Sequence, residues 1–385
     1  MHSMLQDRFE PGIRATGQPA LSWRADLAWV LSVGLLSRAW VFGVAWLFNE
    51  HFALGRSPLQ LLCSWDCGWY QNIAEHGYHA QPTEHPLGEA NWAFFPLFPL
   101  LARAAGWATG WGGLAGGLLV ANLAFITGLS VLYQHLRSRL PVEAARFVVV
   151  ALAFSPYSLY FSAPYTESLY LMLMVCAMHC AHQRSWVLAG LFAAALSATR
   201  NLGVFVILPM AWMAVQQFGW RALLRLAPGT ERVWLGLALV PLGLFTFMAF
   251  LHHHMGDALA FKNVQVAWGG SLGNPLRVIW QAFESGRVYE QYCAAAASLG
   301  LLLGLVLLAR GWQPEGLILI IGVLIPSAVR VWSAPRYVFA LYPVFVALGV
   351  LTQASPRLRW LVLGLLVPPS GFLIASWVAQ KTFMI

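Results

Sequence analysis

Apolar residues in this chain run in long blocks, and the short links between the blocks carry most of the charge. A helix needs about 20 consecutive apolar residues to cross a bilayer. Blocks near 27–48, 114–134, 147–163, 166–182, 186–199, 202–218, 233–251, 292–309, 315–330, 336–352 and 360–378 therefore predict eleven membrane-spanning helices. The pair 186–199 and 202–218 reads either as two spans or as one helix kinked around Arg200-Asn201. Two links are long, 49–113 and 252–291, and polar residues gather in both. In the first, Trp65, Trp69 and Ile73 recur at i, i+4 while Gln71, Asn72 and Glu75 fall between them, and Gly77 follows. That pattern predicts a short amphipathic helix over 66–76, lying at the membrane surface and stopped by the glycine. Downstream, "NWAFFPLFPL" at 91–100 turns the chain back toward the membrane with two prolines and three phenylalanines. No internal repeat, low-complexity tract or long linker interrupts the pattern, so the expected architecture is all-α and polytopic, one domain over 1–385.

Composition agrees with that pattern. The 385 residues are 59% hydrophobic and 10% charged, with a mean hydropathy of +0.64. Soluble domains carry roughly a quarter charged residues, so a soluble or disordered chain is excluded. The net charge of +8 does not point to nucleic acid, because the basic residues form no run or aromatic-basic array, and only Lys262 and Lys381 are lysines. The arginines mark topology instead. With the N-terminus in the cytoplasm, the links 1–26, 135–146, 183–185, 219–232, 310–315 and 353–359 hold 13 arginines and six acids. The opposite side holds nine Lys or Arg and nine acids, and Arg38 lies within the first span. Excess positive charge in short cytoplasmic links is the expected bias, and it places both long links outside the cytoplasm. Residues 1–26 show no short apolar core with a small-residue cleavage site, so the first span is expected to act as its own insertion signal.

Candidate chemistry concentrates in the outer links. "SWDCGWYQNIAEHGYH" at 64–79 sets Asp66, Glu75 and His76 among Trp65, Trp69, Tyr70 and Tyr78. Asp66 has two readings: an N-cap that accepts backbone N–H bonds, or a general base at the water–lipid boundary. Glu75 and His76 fall farther along the helix, at its rim. Glu167, in "PYTES", is either an acid complementing a helix N-terminus or a cavity residue, and Arg200 either pairs with it or faces a ligand. Arg336 begins an outer-face span beside Tyr337, and its planar donor fork suits phosphate. Lys262 is a third cation, in the second outer link. The histidines 252–254 are consecutive, and helical residues point about 100° apart, so they mark a helix end rather than a metal site. Cys63 and Cys67 flank the motif. If that loop is extracytoplasmic a disulfide between them is possible, but they are read as bystanders; Cys176 and Cys180 are read as packing residues, and Cys293 stands alone.

These stretches resemble a known family. "WDCGWYQNIAEHGY" followed by "NWAFFPLFPLLAR" is similar to the first-loop signature of PIG-V-type mannosyltransferases, which have the GT-C membrane fold. "FSPYSLYFSAPYTESLYLMLMV" at 154–175 and "LSATRNLGVFV" at 196–206 resemble further family segments, although here Arg200 is followed by Asn201-Leu202-Gly203 where the family has Ser-Asn-Gly. "GDALAFKNVQVAWG" at 256–269 resembles a segment of bacterial relatives, and "SAPRYVFALYPVF" at 333–345 extends the likeness. The resemblance implies an inverting transfer of mannose, or another hexose, from a polyprenyl-phosphate carrier to a hydroxyl of a lipid or glycan acceptor. It implies Asp66 as the base and Arg200, Arg336 and Lys262 as candidates for the donor phosphate. Glu167, Trp65, Trp69, Tyr70, Glu75, His76, Asn91, Phe94, Tyr165 and Tyr337 are the candidates for acceptor or sugar contacts. No cofactor and no divalent metal is expected, because the lipid-linked donor is a substrate and arginine can serve its phosphate. A transporter or flippase of a lipid-linked sugar, and a non-catalytic scaffold, are the competing classes.

Overall fold

The computed structural model describes residues 23–81, 88–269 and 272–381. Most of the N-terminal link 1–26, with its charges Asp7, Arg8, Glu10 and Arg14 and the expected lack of a cleavage site, lies outside the described residues. The described chain folds as helices joined by turns, and each expected block overlaps a helix, but eleven crossings do not result. Among the described residues six stretches are long and apolar enough to cross a membrane: Trp23–His51, Gly112–Arg137, Asn201–Phe218, Glu231–Met255, Val288–Ala309 and Pro356–Val378. Ala334–Ala340 and Tyr342–Thr352, bent by 65° at Leu341, make a seventh if counted together. The remaining blocks are short helices: Val142–Ala153, Glu167–His182, Trp186–Ser197 and Gln313–Ser327. The reason is that apolar composition serves two environments. Glu167–His182 is buried along nearly its whole length, so its hydropathy matches protein neighbours rather than lipid.

The expected span 147–163 shows why hydropathy miscounts. The helix Val142–Ala153 stops at Phe154, and residues 155–166 run as a buried turn, a 3-10 helix at Ser158–Phe161 and a second turn. Irregular backbone at membrane depth must have its polar groups met inside the protein, and Arg38 meets them. From the first span its Nη1 donates to the Ser158 carbonyl and the Ser162 hydroxyl, both at 2.9 Å. Its Nη2 donates to the Ala153 carbonyl at 3.1 Å and to Ser158 Oγ at 2.5 Å. The guanidinium stacks 4.2 Å above Phe125. Ala153 O belongs to a helix C-terminus, whose partial negative charge offsets the cation. Arg38→Met is expected to leave these acceptors unmet and cost about 3 kcal/mol or more, read as a lower unfolding midpoint in detergent and a lower folded yield.

The Gly112–Arg137 helix packs against Leu97–Thr109, Glu167–His182 and Trp23–His51, and so ties the first long link to the core. At its far end, Glu315 is fully buried, 3.3 Å from His135 Nε2 and paired with Arg139. That contact fastens the first turn of Gln313–Ser327 to the C-terminal end of Gly112–Arg137. The two long links meet: Phe95 from the first packs on Phe247 at 4.9 Å and on Phe261 of the second at 5.3 Å. Each buried phenylalanine contributes about 1.5–3 kcal/mol. The second link also forms an amphipathic helix, Pro275–Glu284, capped by Asn274 Oδ1 accepting from Leu276 N at 3.0 Å and Arg277 N at 3.2 Å. His252, His253 and His254 sit exposed on the last turn of Leu242–Met255, and Gly256 takes the left-handed conformation that ends it, with φ 80°.

Candidate active site

The surface helix expected over 66–76 runs Cys67–His76. Asp66 occupies its N-cap position with helical dihedrals, φ −58° and ψ −20°, yet its side chain caps no backbone N–H. The carboxylate turns the other way. Its Oδ2 accepts from Arg336 Nη1 at 2.8 Å. Arg336 Nε donates to Glu167 Oε1 at 2.6 Å, and Arg200 Nη1 lies 3.4 Å from the same oxygen. Four groups that are 101, 33 and 136 positions apart in sequence thus form one chain of alternating charge: Asp66, Arg336, Glu167, Arg200. Side-chain exposure falls from 35% at Asp66 to 8% at Arg336 and 0% at Glu167, and rises again to 19% at Arg200.

Local backbone explains how each group arrives. Trp65 holds φ 46°, a left-handed conformation rare for a bulky residue, at a cost of order 1–3 kcal/mol. The turn aims Asp66 inward. It is pinned by Tyr165 Oη donating to Ser64 O at 2.7 Å and by Arg56 Nη2, which reaches both Cys63 O and Ser64 Oγ at 3.1 Å. Ser333, three residues before Arg336, is also left-handed, with φ 64°. Arg200 stands in extended backbone between Trp186–Ser197 and the 3-10 turn Asn201–Val206. Gly203 permits that fold-back, because a Cβ there would meet Leu196 O at 2.2 Å.

Cys63 and Cys67 are joined by a disulfide, with Cα atoms 5.3 Å apart. This corrects their reading as bystanders: the bond closes a ring of five residues around Asp66. Spacing alone is neutral on such a bond, since residues four apart in a regular helix and four apart across a turn look alike in sequence. Closing a loop of this size stabilises by about 2 kcal/mol. Two of the five cysteines are therefore expected to react with maleimide only after reduction, by intact mass under denaturing conditions. Replacing both with serine should lower the unfolding midpoint.

Aromatic rings enclose the chain of charges. Arg336 lies 4.6 Å from the Tyr165 ring centre, 4.9 Å from Tyr160 and 5.9 Å from Tyr337. Arg200 lies 5.5 Å from Tyr337 and 6.0 Å from Tyr170. Such stacking offsets part of the cost of burying a guanidinium. Trp69 stacks on Phe94 at 5.8 Å, Tyr70 meets Phe94 edge-on at 5.1 Å, and Trp65 meets Trp377 at 4.7 Å. Burial pushes the Tyr70 and Tyr165 phenols above the ordinary tyrosine range, reinforced at Tyr165 by the Asp66 carboxylate. Neither phenol can act as a base near neutrality, and Asp66 is left as the exposed acid of the group.

Other expected site residues fall elsewhere. Asn91 is fully buried and its amide is committed: Oδ1 accepts from His79 N, and Nδ2 donates to Asn72 Oδ1 and Gly77 O, each at 3.1 Å. It staples the returning chain to the surface helix. Glu75 is exposed and takes a 2.9 Å bond from Gln71, and His76 is exposed on the last turn. Lys262 is exposed on the short helix Ala260–Asn263, outside the chain of charges. Glu167 is sealed between two arginines, which removes it from direct acceptor contact. Tyr160 and Trp377 were not read as site residues, because each lies in an apolar block with no local signal of its partners. Among the described residues no three His, Cys, Asp or Glu side chains converge where a cation could sit.

The fold is shared with a known protein. ArnT from Cupriavidus metallidurans, solved bound to undecaprenyl phosphate, superposes with a TM-score of 0.53 at 15% identity, over 90% of this chain and 63% of ArnT. The likeness at that identity is one of fold, GT-C-like and all-helical. The archaeal oligosaccharyltransferase AglB from Archaeoglobus fulgidus, solved with an inhibitory peptide and a dolichol-phosphate, aligns with a TM-score of 0.44 at 13% identity, over 91% of this chain and 56% of AglB. No protein-family profile and no curated protein sequence matches the chain.

Proposed function

We propose that the protein is an inverting glycosyltransferase that moves a sugar, mannose or another hexose, from a polyprenyl-phosphate carrier to a hydroxyl of a lipid or glycan acceptor. The observation that carries this reading is the turn of Asp66 away from its helix and onto Arg336, in an acid–arginine chain ringed by aromatics. In the reaction the acceptor oxygen bonds to the anomeric carbon as the bond from that carbon to the phosphate oxygen breaks. The hydroxyl proton passes to the Asp66 carboxylate, and the electron pair leaves with the phosphate. Arg336 and Arg200 stabilise the charge that builds on that phosphate. Trp65, Trp69, Tyr70 and Phe94 wall the side where a sugar ring stacks, with Glu75 and His76 at the rim. The GT-C-like fold supports the reading, as does the undecaprenyl phosphate bound by ArnT.

The site is assigned to the extracytoplasmic face, with the N-terminus in the cytoplasm. Two observations support this: the arginine bias of the short links, and the Cys63–Cys67 disulfide, because such bonds persist in oxidising compartments. The test is to incubate purified protein with polyprenyl-phosphate-linked radiolabelled mannose and candidate lipid or glycan acceptors. A labelled product extending the acceptor by one sugar is expected. Movement of the lipid-linked sugar across vesicles with no transfer would establish a flippase instead.

A further inference from the structure

Arg336 serves two partners in different surroundings. Its Nε bond to Glu167 is 2.6 Å long and fully buried, and its Nη1 bond to Asp66 is 2.8 Å long and reaches a carboxylate with 35% of its side chain exposed. The buried bond cannot be replaced by water, whereas the other lies where a ligand can compete. Glu167 has a further property: Oε2 is buried and accepts no hydrogen bond. Nε and Nη2 lie along one edge of a guanidinium, and that edge can grip both oxygens of a carboxylate. A small rotation about the Glu167 contact would let Nη2 satisfy the orphaned Oε2 and free Nη1 from Asp66.

Resting on the transferase reading, we propose that the donor phosphate exchanges with Asp66 for Arg336, with Glu167 as the pivot, so that the base is released only once the donor is bound. While Arg336 Nη1 holds Oδ2, the Asp66 carboxylate is aimed at the guanidinium rather than at an acceptor hydroxyl. The phosphate requires the same cation. Competition for one arginine therefore couples donor binding to base activation and orders the reaction, donor before acceptor. Water entering an empty site meets a base that is still engaged. Glu167 is a positioning residue in this scheme, acting through Arg336.

Undecaprenyl phosphate without sugar is the probe, its binding measured on the full-length protein in detergent. Asp66→Asn removes the competitor for Arg336 and is expected to tighten binding about tenfold, although it removes the base. The effect runs through the Arg336 cation, so in an Arg336→Gln background, which has no cation to compete for, the same change should alter affinity less than twofold. Unchanged or weaker binding in Asp66→Asn overturns the proposal. Equal tightening in both backgrounds overturns it as well, since that is simple repulsion between Asp66 and phosphate. If the glutamine variant does not fold, Arg336→Met takes its place in the cycle. No binding by the wild type overturns the transferase reading itself, whereas binding without the Asp66 effect leaves that reading standing and removes only the exchange.

Discussion

Asp66→Asn is expected to lower sugar transfer by about 10²–10⁴-fold while the protein remains folded. The two halves of this result come from one geometry. Asparagine has the size of aspartate but cannot take the acceptor's proton. Because the Asp66 side chain caps no backbone N–H, its loss removes no helix-capping energy. Arg336 keeps its buried bond to Glu167, so the rest of the chain of charges stays in place. The check is a transfer assay paired with thermal unfolding in detergent. A full transfer rate in a folded variant would eliminate Asp66 as the base. A drop of several degrees with little change in rate per folded molecule would return Asp66 to a structural role.

Arg336→Lys is expected to affect both rate and stability. A planar fork lets arginine hold Asp66 and Glu167 from separate nitrogens while its face lies near Tyr160, Tyr165 and Tyr337. Lysine carries the same charge as a single point. It can reach one acid or the donor phosphate but cannot bridge them, and Glu167 is then left with Arg200 at 3.4 Å as its partner. Losing one preorganised donor to a developing charge costs about 10²–10³ in kcat. Weakening a buried ion pair from one side costs up to about 3–5 kcal/mol. Steady-state kinetics and the unfolding midpoint, measured together, check it. A lysine variant with wild-type kcat and stability would show that Arg336 is a membrane-edge cation and no part of the site.

Local pattern made some features legible in advance. Trp65, Trp69 and Ile73 announce the surface helix because a period of 3.6 shows in a dozen residues. Asp66, Glu167, Arg200 and Arg336 stood out because charge within or beside an apolar run is costly. The count of crossings failed because a helix buried in protein and one bathed in lipid carry the same side chains, and only length and neighbours separate them. The Asn91 staple was not legible because a polar residue in an aromatic loop looks the same whether it meets a ligand or ties the chain together. Cys63 and Cys67 could not be assigned because pairing depends on the turn at Trp65, a left-handed step that its residue type disfavours.

By itself, then, the sequence determined that this is an all-helical membrane protein, where its surface helix lies, which side its arginines favour, and which few charges need an explanation. Hydrophobic periodicity and charge are properties of neighbours in the chain, and they survive without any knowledge of the fold. Only the tertiary structure decided that four of those charges are one object. The ion pairs of Asp66, Arg336, Glu167 and Arg200 span 33 to 270 positions, a separation at which no local pattern can record who meets whom. It also decided that Asp66 abandons its helix for Arg336, because a buried guanidinium needs a carboxylate more than an exposed helix end needs a cap.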